Sequence, residues 1–193
     1  VQLAGDAGNF VGFSASETVI SPISRTTISS IASTSLQASV EWDEIVMSGY
    51  RGWPAACAFD RLRVSFINFP QLPEGIAWSA VSSYADFLVG SDASSAMFEL
   101  VPGRVQVKYL TGGPDQFVFT DRGVFYIPIS ESSPLAPGSV EFVRITPDGC
   151  GPVQPVATPD ALVYVNAGMN RLIGIIQTGA VTRPYAPQDL TEW

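Results

Sequence analysis

Histidine is absent from all 193 residues of the sequence. Its absence excludes Ser-His-Asp and Cys-His catalysis, His-ligated zinc and the usual near-neutral proton shuttle. Cysteine is also scarce: Cys57 and Cys150 lie far apart, which fits neither a zinc cluster nor a disulfide-dense secreted scaffold. We expect both thiols to be reduced, with Cys57 a small core residue, and a single bridge between them is the alternative. The sequence therefore predicts no metal, no cofactor and no histidine-based catalysis.

Positive charge is the second deficit. Ten Lys plus Arg face eighteen Asp plus Glu, which gives a net charge of -8, and Lys108 is the one lysine. Binding to a phosphate backbone needs clustered cations, so nucleic-acid recognition is disfavoured. An acidic wall that lets DNA slide past without sticking fits the same charge equally well.

Charged residues as a whole are few, at 15%, whereas hydrophobic residues make up 46%. This composition can fill one sizeable core or two small ones, and it suggests surface that partners bury. No apolar run approaches the roughly 18 residues of a membrane span, and no basic segment precedes an apolar stretch at the N-terminus. We therefore expect no membrane span and no export signal. A start at Val1 is typical of a processed product or of part of a longer protein.

Helix-forming patterns are rare, and period-2 alternation is common. Residues 17–42, "ETVISPISRTTISSIASTSLQASVEW", alternate in the manner of half-buried strands. The centre predicts further strands in "AACAFDRLRVSFINF", "MFELV", "RVQVKYL", "DQFVFT" and "GVFYIPI". Only 78–89, "WSAVSSYADFLV", has a helical pattern. With fifteen prolines and seventeen glycines between these segments, the sequence predicts an all-β protein of short antiparallel strands.

A hairpin pattern recurs along the chain. "PDQFVFTDRGVFYIPI" begins at Pro114, and "PDALVYVNAGMNRLIGII" begins 45 residues later, at Pro159. "AACAFDRLRVSFI" is a third hairpin of the same kind, turning at Asp60-Arg61. A hairpin repeated every forty-odd residues is typical of β-propeller blades, so we predict a β-propeller-like fold, with a β-sandwich as the alternative.

Carboxylates are the main candidates for chemistry. Two of them across a cleft could form a glycosidase pair, but turn capping and surface solvation are the simpler interpretation. The candidates are Asp43, Glu44, Asp86, Asp92, Glu99, Asp115, Asp121 and Asp148. "GSDASSAM" (90–97) lacks the acid spacing of a calcium loop. We predict that the chain is not an enzyme.

Aromatic residues could stack on sugar rings or on a partner protein. They are Trp42, Tyr50, Trp53, Phe59, Phe66 and Trp78. In an all-β protein such residues usually fill the space between sheets, so a core position is favoured for Trp53 and Trp78. The element "GYRGWP" (49–54) then leads into the first hairpin, with Trp53 packed beneath it.

The order of these elements resembles the tail tubular, or tail nozzle, proteins of short-tailed bacteriophages. The likeness runs through residues 40–193 in "VEWDEIVMSGYRGWPAACAFDRLRVSF", "GIAWSAVSSYADF", "DASSAMFEL", "DQFVFTDRGVFYI", "PDGCGPVQPVATPDALVYVNAGMNRLIGII" and "YAPQDLTEW". The chain departs from the family in having "VSFINFP" where a Gly-Gly is common, and it stops at Trp193 soon after Asp-Leu-Thr.

The resemblance implies a structural virion protein of the phage tail, assembled in the host cytoplasm. Such a subunit forms a homo-oligomeric ring, usually six-fold, below the portal and adaptor proteins, and DNA passes through it without specific binding. The expected division is a Ser/Thr-rich β segment over 1–48 and β-propeller-like blades over 49–193, with the set of blades incomplete in this chain.

Six residues are predicted to serve structural or interface roles: Tyr50, Arg51, Trp53, Arg61, Trp78 and Arg171. An arginine beside a turn, in a chain with few cations, is expected to bond exposed carbonyl groups or to pair across an interface.

Overall fold

The computed structural model describes residues 18–21, 24–28, 39–44, 47, 52–179 and 184–191. Within these residues every regular element is a β-strand, and no helix occurs. The all-β prediction is therefore confirmed, whereas the helical pattern over 78–89 is wrong. Its residues end one strand and continue as turns and isolated β-bridges.

Among the described residues, fifteen strands form four antiparallel sheets, each with its strands in sequence order. The N-terminal sheet contains β1 (Thr18–Ser21), β2 (Ser24–Ile28) and β3 (Ser39–Glu44). The first four-stranded sheet contains β4 (Ala56–Asp60), β5 (Arg63–Phe69), β6 (Leu72–Trp78) and β7 (Met97–Leu100). The second contains β8 (Val107–Thr111), β9 (Gln116–Thr120), β10 (Gly123–Ile127) and β11 (Val143–Thr146). The third contains β12 (Val156–Ala157), β13 (Ala161–Val165), β14 (Leu172–Gln177) and β15 (Tyr185–Asp189).

The second and third predicted hairpins form the inner strands of their sheets, whereas the first consists of the edge strand β4 and the inner strand β5. Asp60 pairs with Arg63 around the first turn, and Thr120 pairs with Gly123 around the Asp121-Arg122 turn. In the third sheet, Val165 pairs with Leu172 across a longer turn. Each hairpin is extended by an outer strand, which makes four-stranded meanders of the kind that propeller blades use. The three sheets do not close into a ring within the described residues.

The second sheet packs between the other two, and both of its faces are buried. Alternate residues of β9 point in opposite directions, so Val118 faces the first sheet, whereas Phe117 and Phe119 face the third. All five residues of β9 and all five of β10 are buried as a result. Two interfaces are defined in this way, the first interface (first and second sheets) and the second interface (second and third sheets).

Each interface has its own hydrophobic core. The first interface contains Ile67, Ile76, Trp78, Met97, Val101, Val105, Val107, Leu110, Val118, Phe125, Ile127 and Leu135. The second contains Phe117, Phe119, Val124, Tyr126, Cys150, Leu162, Tyr164, Ile173 and Ile175. The two repeated Pro-Asp hairpins thus pack against each other across the second interface.

The far face of the first sheet has a smaller core of its own. It is built from Met47, Phe69, Ala77 and Phe87, with Phe66 stacked on Phe87 at a centroid distance of 4.8 Å. The loop 79–96 therefore folds back over this face. The division of the chain at residue 48 stays a prediction.

Candidate functional site

Arg61 bridges the first interface from the turn between β4 and β5. Its Nη2 donates to the carbonyl oxygens of Gly113 at 2.8 Å and Pro114 at 2.6 Å, both in the facing turn of the second sheet. Its Nη1 pairs with the carboxylate of Asp60. The arginine therefore bonds carbonyl groups beside a turn and also crosses an interface between sheets.

Trp78 contributes to the same network from the core of the first interface. Its Nε1 donates to Oε1 of Gln116 at 2.9 Å, and Nε2 of Gln116 donates to Oδ2 of Asp60 at 3.3 Å. We call Asp60, Arg61, Trp78 and Gln116 the Arg61 network. It links two of the six predicted residues, Arg61 and Trp78, in one chain of contacts.

Gly112 permits the close approach of the two turns in this network. A Cβ atom at Gly112 would lie 2.5 Å from Oδ1 of Asp60. A side chain at this position would therefore displace the Asp60 carboxylate from Arg61 and Gln116. The turn 112–115 of the second sheet thus leaves space for the side chains of Asp60 and Arg61 from the first sheet.

Arg171 stabilises the opposite end of the second interface. Its Nη2 lies 2.7 Å from Oδ1 of Asp148, and its Nη1 lies 3.8 Å from Oδ2 of Asp189. Tyr164 in the core donates its hydroxyl to the carbonyl oxygen of Asp148 at 3.1 Å. Hydrogen bonds from Thr191 lower the pKa of Asp189 and keep it ionised for Arg171. Arg171 therefore connects the loop after β11 to the third sheet.

Arg63 is a functional residue that sequence reasoning missed. Its side chain is 1% exposed, and it donates to the carbonyl oxygens of Ser79 at 2.6 Å, Ser95 at 2.7 Å and Ala93 at 2.7 Å. Burial lowers the pKa of its guanidinium. These bonds hold both ends of the loop 79–96. Strand alternation was the available signal, because it places Arg63 on the same buried face as Ser65 and Ile67.

The two tryptophans that were expected in the core have different positions. Trp78 is fully buried, whereas Trp53 is 58% exposed, so the core prediction for Trp53 is wrong. Phe59 and Tyr84 are exposed as well, with their rings edge to face at 5.4 Å. Trp53 follows the turn at Gly52 and precedes β4, where no described sheet covers it. Tyr50 and Arg51 lie outside the described residues, as does the side chain of Trp42.

Several of the candidate carboxylates accept hydrogen bonds within the fold. Asp86 accepts from the Leu88 amide at 3.0 Å, and Asp121 accepts from the Gln106 amide at 2.7 Å. Asp115 accepts from the Ile129 amide and from the Tyr185 hydroxyl, each at 2.8 Å. These contacts favour turn capping over a glycosidase pair. The part of the chain that the structure describes contains no group of three potential metal ligands.

No family model matches this chain, and no curated protein matches it. A search of the described residues for bilayer-spanning helices found none that combines the length and apolar character required.

Cys57 and Cys150 are both free thiols. Cys57 is exposed, so its predicted core position is wrong, whereas Cys150 is fully buried in the second interface. Burial raises the pKa of the Cys150 thiol from 9.0 to about 11, and the charge of Lys108 opposes that shift. Lys108 also donates to the carbonyl oxygen of Cys150 at 2.8 Å.

The buried thiol should make the protein less stable in alkali. Between pH 8 and pH 10 the unfolded chain loses the thiol proton while the native state keeps it, so ionisation favours unfolding. We expect Cys150 to account for a fall of about 1 kcal/mol in the free energy of unfolding over this range. Urea unfolding at several pH values would show a shallower fall for Cys150→Ala than for the wild type. Cys57→Ala is the matched control, and a wild-type-like fall in Cys150→Ala would contradict the assignment.

Proposed function

We propose that this chain is a non-catalytic structural subunit of a phage tail, part of a homo-oligomeric ring through which DNA leaves the particle. The observation that carries the proposal is the outward face of the third sheet, which is apolar although no described sheet packs on it. The resemblance of the chain to tail tubular proteins, in motif order over residues 40–193, supports the assignment of this face to a contact between subunits of a tail ring.

The outward face follows from strand register. Leu162 and Tyr164 point into the second interface, so Val163 and Val165 between them point the other way. Residues that pair across neighbouring strands point to the same face, so the strand partners of Val163 and Val165 also belong to the outward face. The next pair along the strand, Ala161 and Ile176, belongs to it as well. The outward face is formed by Val156, Ala161, Val163, Val165, Leu172, Gly174 and Ile176, with Ala186 and Gln188 of β15 beside them.

The outward face consists largely of apolar side chains, as do the buried faces of the sheets. Val156 is 61% exposed and Leu172 is 37% exposed, and both belong to the outward face. A sheet that packs on its neighbour with one apolar face, and presents another apolar face behind it, is suited to continued stacking. In the proposed ring the outward face makes a heterologous contact, so a different surface of the neighbouring subunit covers it.

Electrostatics support a passive role towards DNA. The net charge is -8, and most of the described cations already bond within the fold. Arg61, Arg63 and Lys108 donate to carbonyl groups, Arg171 pairs with carboxylates, and Arg144 donates to the Arg122 carbonyl at 2.7 Å. A negatively charged protein whose described cations are mostly bonded within the fold is expected to bind phosphate groups weakly.

The assembly can be tested with one charge on the outward face. We expect the purified wild-type chain to form rings in negative-stain images and oligomers in mass photometry. Val163→Lys should give monomers with an unchanged β-sheet circular dichroism spectrum. Val81→Lys is the matched control, because Val81 is an exposed valine in the loop 79–96, away from the outward face. A wild-type chain that stays monomeric at every concentration would overturn the proposal.

Exposed aromatic side chains favour a second candidate function, that of a carbohydrate-binding or glycan-cleaving β-domain of a tail receptor-binding protein. Trp53, Phe59 and Tyr84 are respectively 58%, 61% and 46% exposed, which makes them available for stacking on sugar rings. This alternative predicts a saccharide-induced change in tryptophan fluorescence that disappears in Trp53→Ala. Measurable turnover on a polysaccharide would contradict both the non-catalytic role and the structural proposal.

A further inference from the structure

A cleft opens at the second interface, between the turn 112–115 of the second sheet and the turn 158–161 of the third. Its volume is about 160 Å³. Phe117, Tyr185, Pro114 and Asp160 are among the residues that line it. The cleft is therefore large enough for one flat group of the size of a benzene ring.

The first interface shows what fills the corresponding position between the first two sheets. There, Asp60 and Arg61 project from the turn of the first sheet and occupy the space against the turn of the second. The guanidinium of Arg61 lies against the carbonyl oxygens of Gly113 and Pro114. One interface of this fold thus already receives an arginine at this end.

The second interface lacks such a side chain. The turn that should reach across it begins with Gly112-Gly113-Pro114, and none of these residues has a long side chain or a side-chain donor. By the 45-residue repeat, Thr158 and Pro159 correspond to Gly113 and Pro114, the residues whose carbonyl groups Arg61 bonds. The receiving turn is therefore retained, and the arginine that would fill it is missing.

The walls of the cleft suit a guanidinium group. The half-buried Tyr185 ring packs edge to face on the buried Phe117 ring, at a centroid distance of 4.9 Å, and is the aromatic surface on which a planar cation can stack. Asp160 adds a negative charge to the lining, in a chain whose net charge is -8. Asp115 already accepts hydrogen bonds from Tyr185 and Ile129, which fixes the Tyr185 wall in place.

We propose that this cleft binds the arginine side chain of a partner protein, in the way that the first interface binds the chain's own Arg61. A lysine ammonium is compact and strongly hydrated, so it stacks less well on the Tyr185 ring. A neutral ring would fill the space but would gain nothing from the charge of the exposed Asp160 carboxylate. The proposal does not depend on the phage-tail assignment.

Titration of the isotope-labelled chain with short capped peptides tests this inference. We expect acetyl-Gly-Arg-Gly-amide to shift the amide resonances of residues around Phe117 and Asp160 in a saturable manner. The matching lysine peptide should bind about fivefold more weakly, and Asp160→Asn should weaken the arginine peptide by about the same factor. Asp92→Asn, at an exposed acid in the loop 79–96 of the first sheet, is the control and should bind as the wild type does.

Three outcomes would overturn the proposal. They are equal binding of the lysine peptide, unchanged binding by Asp160→Asn, and the absence of any shift at millimolar peptide. Tighter binding of phenol than of the arginine peptide would assign the cleft to neutral rings instead. Because these measurements concern only the cleft, a failure here would leave ring formation by the outward face unaffected.

Discussion

Replacing Arg63 with methionine is expected to lower the free energy of unfolding by about 3 to 5 kcal/mol. The substitution keeps much of the side-chain volume but removes all the donors for the carbonyl groups of Ser79, Ala93 and Ser95. The Ser79 oxygen then lacks a partner in a buried region, and the part-buried oxygens of Ala93 and Ser95 lose charge-assisted hydrogen bonds. Urea unfolding followed by circular dichroism would measure the loss.

The part of the fold that Arg63→Met destabilises can be tested, in addition to the size of the change in unfolding free energy. Arg63→Met should make the loop 79–96 sensitive to limited proteolysis under native conditions, because the guanidinium holds both of its ends. Arg122→Met is the matched control, since the Arg122 side chain is 69% exposed, and its effect should stay within about 0.5 kcal/mol. Equal effects of the two substitutions would show that Arg63 has no special structural role.

Trp78→Ala should cost about 3 to 5 kcal/mol of unfolding free energy, because it leaves a large cavity in the core of the first interface. Trp78→Phe preserves most of the packing but removes the donor to Gln116, so we expect a loss of about 1 to 2 kcal/mol. Trp53→Ala is the control at an exposed tryptophan, with little expected change. Thermal or urea unfolding by circular dichroism would rank the three variants.

A double-mutant cycle separates the hydrogen bond from the packing. Gln116→Met removes the acceptor of the Trp78 indole, so the combined variant with Trp78→Phe should lose less stability than the two single losses added together. Strict additivity would mean that the contact contributes nothing of its own. In that case the Arg61 network would be a set of independent contacts.

Local sequence was sufficient to predict the inner hairpins of the fold. Period-2 alternation over 63–69 and 116–127, with turns at Asp60-Arg61 and Asp121-Arg122, predicts the strands that the structure contains. The segment 78–89 was not predictable in this way. Its apolar residues are spaced as in a helix, but Phe87 packs on the far face of the first sheet and distant Arg63 fixes the backbone.

The candidate site could be predicted only where turn chemistry determined it. Arg61 and Arg171 lie beside turns, and each bonds across an interface, as arginines in a cation-poor chain were expected to do. The contrast between Trp53 and Trp78 depends on which sheet face a neighbouring sheet covers. That information belongs to the packing of sheets and is not contained in either tryptophan's local sequence.

Because both faces of the second sheet are buried, we expect this sheet to be the last of the three four-stranded sheets to open in local unfolding. Amides of β9 and β10 are shielded by two cores, whereas the first and third sheets each have one neighbouring four-stranded sheet. Hydrogen exchange in stacked units of this kind depends on nearest neighbours, so opening begins at the outer sheets and reaches the middle last. Exchange at β9 and β10 therefore reports the global unfolding of the stack, and exchange in the third sheet reports its fraying.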